Sequence, residues 1–131
     1  MSVQTDSPAV AVARAYVEAW SNHDFDAARH LLADDVEVTA TAADPAFPQT
    51  HLTGADSYVE GLIAYAQPIV PGSVRVLAST GDQHHALLTL TLTMAGGPIG
   101  SGVSAPCARL YALDENNKIK TEQVIFYVAQ G

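Results

Sequence analysis

The sequence is short of cysteine, of basic residues and of long apolar runs. Cys107 is the one cysteine in 131 residues, so no disulfide forms within the chain. Six Lys and Arg stand against 14 Asp and Glu, and the resulting formal charge of -8 opposes binding to nucleic acid or to an anionic membrane. No apolar stretch approaches the roughly 18 residues that a membrane span needs. We therefore expect neither nucleic acid nor a membrane as a partner.

The composition predicts one globular domain. Hydrophobic residues make up 48% and charged residues 15%, which is too apolar for a disordered chain. The length suits a single domain, and there is no linker, repeat or low-complexity tract, so residues 1–131 are assigned to one domain. The first residues lack the basic and apolar stretches of a secretory signal, which makes the cytoplasm the expected compartment.

A short helical hairpin is predicted at the start of the chain. Ser7 followed by Pro8 is typical of a helix start, because a hydroxyl can cap the helix and proline is tolerated at its first position. Apolar side chains from Ala9 to Trp20 recur at helical spacing. Asp24 can cap a second helix that ends near Ala33.

The next segment predicts a strand, a loop and a third helix. Val36–Ala40 alternates apolar and polar residues, as a strand covered on one face does. Asp44 and Pro48 lie in a loop, because proline removes a backbone donor. Thr53 begins a stretch with capping-box spacing, which predicts a helix that stops before Pro68.

The second half of the chain has a period of two. The predicted strands cover residues 74–78, 88–94, 103–113 and 119–128, and turns separate them at 81–82, 95–102 and 114–117. Strands of about ten residues span roughly 33 Å, long enough for an antiparallel sheet to curl. We expect helices on the concave side of this sheet, with a pocket between the two layers.

Two segments carry a likeness to a known superfamily: AVARAYVEAWSNHDFDAA (11–28) and LLADDVEV (31–38). Gly54 and Asn117-Lys118-Ile119 fit as well. With the order helix, helix, strand, helix and meander, the chain resembles the nuclear transport factor 2-like (NTF2-like) superfamily, the cystatin-like α+β cone. The resemblance implies three N-terminal helices packed on a strongly curved, mostly antiparallel sheet that encloses a pocket. It specifies fold far better than function, since the scaffold hosts several enzyme classes and non-catalytic modules.

The resemblance to ketosteroid isomerase, whose site holds a tyrosine and two aspartates, is partial. The donor tyrosine falls at Tyr16. The positions of the two aspartates fall at Ala40 and Ala108, so two of the three groups are missing. Asp44 could replace the base only if its longer loop brings it back to the pocket, which is less plausible than a plain turn.

The SnoaL-like polyketide cyclases and the limonene-type epoxide hydrolases resemble the same outline and have an acidic residue that faces the cavity from the last strand. That position falls at Val124, and Glu122 lies two residues earlier on the same strand face. The epoxide hydrolases also have an Arg–Asp pair on a pocket-facing strand. None of Arg75, Arg109 and Asp82 fits such a pair, which disfavours that activity.

Glu122, Tyr16 and His51 are the candidate catalytic residues. An inward Glu122 would be a partly desolvated acid or base, and an outward one would pair with Lys120 or another neighbour in solvent. Tyr16 lies on the buried face of the first helix, where a phenol donates to a carbonyl or enolate oxygen or simply fills the core. His51, in the loop before the third helix, could move protons at the pocket mouth or lie exposed.

The candidate substrate-binding residues are apolar: Trp20, Leu88, Leu90, Leu92 and Phe126. They would shape a pocket for a small hydrophobic molecule. With one cysteine and no His-x-His or His-x-x-x-His, no metal is expected, and no cofactor motif is present.

The outer face of the predicted sheet carries little charge. Thr89, Thr91 and Thr93 face away from the leucines, and Arg109 and Tyr111 face away from Ala108 and Leu110. Such a face is more plausibly covered by a second copy of the chain than exposed to solvent. The resemblance implies pairing through it, so we expect a homodimer.

Two functions of different classes remain open. One is a cofactor-free acid/base enzyme, an isomerase, cyclase or dehydratase, acting on a small hydrophobic carbonyl or polyketide-like compound. In it Glu122 moves the proton and Tyr16 donates to the oxygen. The other is a non-catalytic module for small-ligand binding or dimerisation, which the alanines at the isomerase positions favour.

Overall fold

A computed structural model describes residues 7–42, 50–67, 69–95, 101–103 and 107–126. In this part of the chain the helices are α1 (Pro8–Ser21), α2 (Phe25–His30) and α3 (Ala55–Ala66). The strands are β1 (Leu32–Ala42), β2 (Thr50–Thr53), β3 (Arg75–Gly81), β4 (His85–Thr91), β5 (Thr93–Ala95), β6 (Ser101–Val103), β7 (Cys107–Leu113) and β8 (Ile119–Phe126).

Six of the strands form one sheet in the order β2-β1-β8-β7-β4-β3. The pair of β1 and β8 is parallel and the other four pairs are antiparallel. The register shifts in β1, in β3 and between β7 and β8, and such irregularities bend a sheet. The α+β prediction, with a helix layer on a curved, mostly antiparallel sheet, is confirmed, although α3 follows β2 instead of joining α1 and α2 at the start.

Helix α1 follows the sequence prediction closely. The Ser7 side chain accepts a hydrogen bond from the Val10 amide at 3.3 Å, and proline occupies the first turn. Tyr16, Val17 and Trp20 are completely buried. The helix ends where His23 adopts a positive φ of 64°, which reverses the chain. Tyr16 and Trp20 therefore point from the helix layer toward the sheet.

Helix α2 is shorter than predicted. Asp24 caps it as expected, accepting from the Ala27 amide at 3.2 Å. The helix ends at His30 instead of near Ala33, because the chain enters β1 at once. The Leu31 carbonyl already accepts the Ile119 amide at 2.9 Å.

The segment before α3 was expected to be a loop, and it is strand β2 in residues 50–53. The prediction that His51 lies in a loop is therefore wrong, since its residue pairs with Thr39 of β1. Prolines and a low apolar content concealed this strand in the sequence. Asp44 and Pro48 lie outside the described residues.

The start of α3 differs from the predicted capping box. Gly54 is the residue that caps the helix, with φ of 98° and no side-chain hydrogen bond, and Thr53 belongs to β2. Glycine suits this left-handed backbone. The Gly54 amide donates to the Val36 carbonyl at 2.8 Å, which ties the start of α3 to the sheet. Tyr58 and Leu62 form part of the buried face of α3.

The predicted strand 88–94 is divided. Strand β4 ends at Thr91, and β5 pairs with β6 in a separate two-stranded sheet. The chain leaves the main sheet at Leu92, and the Thr93 carbonyl then accepts the Val70 amide at 2.9 Å. Of the predicted strand 103–113, residues 107–113 form β7, and Val103 ends β6. Ser101 and Gly102, predicted to lie in a turn, also belong to β6. The predicted turn at 114–117 is confirmed, with the Asp114 carboxylate capping it at 2.8 Å from the Asn116 amide.

The core lies between the helix layer and the main sheet. It joins side chains of α1 and α3 to alternate residues of the strands, among them Leu88, Leu90 and Val38. No helix in the described ranges is long and apolar enough to cross a membrane.

Candidate active site

Glu122 lies in the middle of the core. It stands in β8 opposite Tyr111 of β7 and Val38 of β1, and 1% of the residue is exposed. A buried carboxylate is costly unless it is paired and hydrogen-bonded. The residues that meet this requirement come from both layers of the fold.

Arg109 provides the opposite charge. Its Nη1 lies 3.2 Å from Glu122 Oε2, and the two side chains are 3% and 0% exposed. The guanidinium also lies over the Trp20 ring, 4.8 Å from the ring centroid, in a cation–π contact. The helix layer therefore holds Arg109 from one side while Glu122 holds it from the other.

Tyr58 contributes a second contact to the carboxylate. It comes from α3, and its hydroxyl donates a short hydrogen bond to Glu122 Oε1. Burial raises the pKa of Tyr58 well above its ordinary value, and the charge of Glu122 raises it further. The phenol therefore stays protonated and remains a donor at neutral pH.

Tyr16 and Tyr111 complete the group. Their rings meet edge to face with centroids 6.0 Å apart, and the Tyr16 ring lies 6.5 Å from that of Tyr58. Neither the Tyr16 nor the Tyr111 hydroxyl makes a hydrogen bond of standard geometry to a described residue, although both are buried. Burial raises the pKa of each phenol, and nearby charge, including that of Glu122, adds to the effect. We call Glu122, Arg109, Tyr16, Tyr58 and Tyr111 the Glu122 cluster.

The assignment of Arg109 and Tyr111 to the outer face was wrong. Arg109 pairs with Leu88 and Val124, so all three side chains share the inner face of the sheet. Tyr111 is two residues further along the same strand. Leu113 is the last apolar residue before the turn, and a strand alternation counted back from it places Tyr111 and Arg109 on the same face as Leu113. This alternation was the signal in the sequence that could have predicted the inner face.

The two positions taken from the isomerase comparison lie apart. Ala40 in β1 pairs with Val124 on the inner face and is half-buried. Ala108 pairs with Thr89 and Ile125, which puts it on the outer face. The second aspartate position therefore does not face the Glu122 cluster. Tyr58 of α3, which contacts Glu122, was missed as a functional residue.

His51 is not part of the cluster. It is exposed on β2, where its ring nitrogens lie 3.2 Å from the Thr39 hydroxyl and 3.4 Å from the Thr53 hydroxyl. Thr39 in turn pairs with Gln123, whereas Val38 pairs with Glu122. Successive residues of a strand point to opposite faces, so His51 lies on the outer side and cannot serve the cluster as a proton shuttle.

Four of the five residues predicted to line the substrate pocket have described side chains. Trp20, Leu88, Leu90 and Leu92 are all buried on the inner side, and Trp20 contacts the cluster directly. Phe126 ends β8, but its side chain lies outside the described part of the structure.

The concavities formed by the described residues include two that are not lined by Glu122. One of about 340 Å³ lies on the outer sheet face, and its lining includes Leu87, Leu110, Gln123 and Tyr111 of the Glu122 cluster. The other, about 260 Å³, lies beside α1 and includes Arg14 and Glu18. Because Glu122 is 1% and Tyr16 is 0% exposed, a ligand that reaches them must enter by moving side chains. Within the described ranges, no three His, Cys, Asp or Glu side chains are grouped to hold a metal ion.

The cluster is suited to moving a proton. It combines one carboxylate, which can accept a proton, with phenols that remain protonated donors. Two of those phenols have hydrogen-bonding capacity to spare. In a dry interior such groups act on a ligand more strongly than they would in water.

Solved structures with the same fold have low sequence identity to this chain. A protein of Kribbella flavida is 24% identical, with a TM-score of 0.74 over 94% of this chain and 88% of its own. An LEH-like epoxide hydrolase of M. tuberculosis is 20% identical, with a TM-score of 0.65 over 91% and 82%. A protein of Catenulispora acidiphila with a ketosteroid isomerase-like fold, solved with trimethylamine, is 16% identical, with a TM-score of 0.68 over 89% and 85%. These likenesses establish the fold alone.

The family comparison is more specific. No curated protein sequence matches the chain. The model of the SnoaL-like domain matches residues 13–122, which run from the middle of α1 to Glu122 itself. This match covers most of the chain, and the fold agrees with it, so the chain belongs to the SnoaL-like domain family of the NTF2-like superfamily.

Proposed function

We propose that this protein is a cofactor-free acid/base enzyme that acts on a small, neutral, hydrophobic carbonyl compound, such as an alicyclic ketone or a polyketide-like molecule. The observation that carries the proposal is the buried Glu122 carboxylate, held by Arg109 and Tyr58 with two further phenols beside it. An isomerisation, a cyclisation or a dehydration of such a compound begins with the same event, removal of a proton next to the carbonyl.

Glu122 is the proton carrier in this proposal. Each carboxylate oxygen accepts more than one hydrogen bond, so the contacts with Tyr58 and Arg109 leave acceptor sites on both oxygens. Those two contacts also fix the orientation of the carboxylate. A base fixed in this way loses little freedom when it takes the proton.

The first step forms an enolate. Glu122 takes the proton, the C–H bond breaks, and its electron pair moves through the adjacent carbon to the carbonyl oxygen. The Tyr16 hydroxyl donates a hydrogen bond to that oxygen as its negative charge develops. Protonated Glu122 then returns the proton to the same or another carbon, so the step is balanced without an oxidant or a cofactor.

A second candidate is a non-catalytic module in which the cluster only stabilises the core. The burial of the cluster favours this candidate, because Glu122 is 1% and Tyr16 is 0% exposed and a substrate would have no direct access to them. Alanine at the base position of the isomerase, Ala40, agrees with it as well. In this case ligands bind without turnover, or the chain acts through its outer sheet face.

Exchange of carbon-bound hydrogen separates the two candidates. Small cyclic ketones, such as cyclohexanone and 1-tetralone, are incubated with the protein in D₂O, and loss of the α-proton signal is followed by NMR. We expect exchange well above the buffer rate, and Glu122→Gln should lower it by roughly 10²–10⁴, the usual contribution of a general base. Glu37→Gln is the matched control, since Glu37 is an exposed glutamate on the neighbouring strand.

Each outcome decides between the candidates. Exchange that needs Glu122 and tolerates Glu37→Gln supports the enzyme. Saturable binding without exchange favours the module. Equal exchange rates in Glu122→Gln and the unmodified protein would contradict the assigned role of Glu122.

A further inference from the structure

Two buried hydroxyl groups beside one carboxylate make no hydrogen bond of standard geometry to a described residue. The Tyr16 and Tyr111 hydroxyls are inaccessible to solvent, and each has one polar neighbour in the cluster, Tyr58 for Tyr16 and Glu122 for Tyr111. Leaving such a group unpaired costs free energy, and native proteins rarely tolerate it without a reason. A ligand oxygen that pairs with both groups would be such a reason.

The two hydroxyl groups come from opposite layers of the fold. Tyr16 is carried by α1, whereas Tyr111 lies in β7 directly opposite Glu122 in the strand register. Their rings are inclined at 76° with centroids 6.0 Å apart. A small molecule held between the helices and the sheet would meet one donor from each side, next to the carboxylate.

Both groups are donors at neutral pH. Burial raises the pKa of the two phenols, and the negative charge of Glu122 raises it further. Neither phenol therefore ionises under ordinary conditions. Each keeps an O–H bond that can point at a ligand oxygen.

The charges already present limit the ligand. Glu122 and Arg109 form a pair that is balanced without a ligand. An anionic ligand would bring a second negative charge close to Glu122 in a medium of low dielectric constant, which is strongly unfavourable. A neutral molecule that offers an acceptor oxygen meets the two phenols without this cost.

We propose that Tyr16 and Tyr111 donate together to a single oxygen of a neutral carbonyl substrate, with Tyr111 as a second, previously unassigned catalytic donor. This inference rests on the proposed function and names the class of substrate for the same site. When Glu122 takes a proton from carbon, the negative charge that develops on oxygen is shared by both phenols. The two hydrogen bonds therefore strengthen in the transition state.

Kinetics of ketone exchange test the role of Tyr111. Tyr111→Phe keeps the ring and removes the hydroxyl, and we expect kcat for cyclohexanone exchange to fall by roughly 10²–10³, as for loss of one oxyanion donor. KM should change by less than about 10-fold, since a neutral hydrogen bond contributes little to binding. Thr121→Val is the matched control, because it deletes a hydroxyl next to Glu122 on the opposite strand face.

A spectroscopic measurement separates donation from packing. Cyclohexanone labelled with ¹³C at the carbonyl is bound to the protein, and its resonance should move in the direction that hydrogen bonding produces. Tyr111→Phe and Tyr16→Phe should each remove part of that shift, and Thr121→Val should not. Cyclohexanecarboxylate, similar in size but anionic, should bind at least roughly 10-fold more weakly, equivalent to about 1.4 kcal/mol.

The outcomes distinguish this inference from the proposed function. If Tyr111→Phe matches the unmodified protein in kcat and in carbonyl shift while Glu122→Gln abolishes exchange, the role of Tyr111 is refuted and that of Glu122 stands. Equal or tighter binding of the carboxylate refutes the neutral substrate class. If the unmodified protein neither binds nor exchanges ketones, both proposals are wrong.

Discussion

Arg109 and Glu122 are diagonal neighbours across β7 and β8. Arg109 stands opposite Val124, and Glu122 stands opposite Tyr111, so the ion pair spans two residue positions of the register. Diagonal neighbours on one face are within reach of long side chains. Tyr111 is therefore the direct cross-strand neighbour of Glu122. The Arg109 guanidinium lies against the Trp20 ring.

The ion pair predicts a large effect when one partner is removed. Arg109→Met leaves Glu122 as a buried charge without its counter-ion, and we expect the free energy of unfolding to fall by about 3–5 kcal/mol. Adding Glu122→Gln to this variant should recover much of the loss, because the charge is then gone. Urea unfolding of the two single variants and the double variant measures the coupling.

The control for this prediction is an exposed pair. Arg29 lies 2.9 Å from Asp34 and 3.0 Å from Asp56, and both carboxylate side chains are 93% exposed. Exposed ion pairs contribute little to the free energy of unfolding, so Arg29→Met should lower it far less than Arg109→Met does. Similar losses in the two variants would mean that burial does not govern the Arg109 pair.

The three tyrosines of the cluster should differ in their contribution to stability. Tyr58→Phe removes a hydrogen bond to a charged group, which should cost about 1.5–3 kcal/mol. Tyr16→Phe and Tyr111→Phe remove hydroxyls that make no hydrogen bond of standard geometry to a described residue, so stability should stay equal or rise. Thermal unfolding of the three variants gives the comparison. A clear loss in Tyr111→Phe would mean that its hydroxyl is already paired in the folded protein.

The fold was more predictable than the cluster. Capping by Ser7 and Asp24 and the helical spacing up to Trp20 depend on local chemistry, which a sequence displays directly. The strand face of Arg109 depends on where its strand begins, and an error of one residue moves every side chain to the other face. Tyr58 reaches Glu122 only because α3 packs across β1, a tertiary relationship without a local signal.

Alkaline conditions should unfold the protein through the buried phenols. The pKa values of Tyr16, Tyr58 and Tyr111 are raised in the folded state, so their stabilising contribution is complete below about pH 10, the ordinary value, and falls above it. The unfolded chain releases protons there that the folded chain retains. Each phenol then lowers the free energy of unfolding by about 1.4 kcal/mol per pH unit.

Phenolate absorbance at alkaline pH checks this effect. The chain has five tyrosines, and the signal of the three buried ones should appear together with loss of the circular dichroism of the fold. Tyr16→Phe should reduce the dependence of stability on pH. Full ionisation of all tyrosines in a protein that stays folded would contradict the burial of the cluster.

The outer sheet face predicts self-association. Leu110 is 38% exposed there, in a row with Leu87, Thr80 and Gln123, and these residues line the concavity of about 340 Å³. We expect a homodimer through this face, and Leu110→Glu should shift it to monomer. Light scattering at micromolar concentration measures the mass.

Ile63 provides the matched control for the dimer. It is 39% exposed, almost the same as Leu110, but it lies on α3 in the other layer. Ile63→Glu should therefore leave the dimer intact. A monomeric unmodified protein, or equal dissociation by both substitutions, would refute pairing through the sheet.

Trp20 should report ligand binding at the cluster by its fluorescence. It is the one tryptophan of the chain, it is completely buried, and the guanidinium that lies over its ring is bound to Glu122. A ketone that enters the cluster must disturb this arrangement, so emission should change saturably with cyclohexanone or 1-tetralone. Tyr16→Phe combined with Tyr111→Phe should weaken the titration, because both proposed donors are absent, whereas Thr121→Val should leave it unchanged. A saturable response of equal affinity in the double variant would contradict donation by the two phenols, and no response to any ketone would remove Trp20 from the lining.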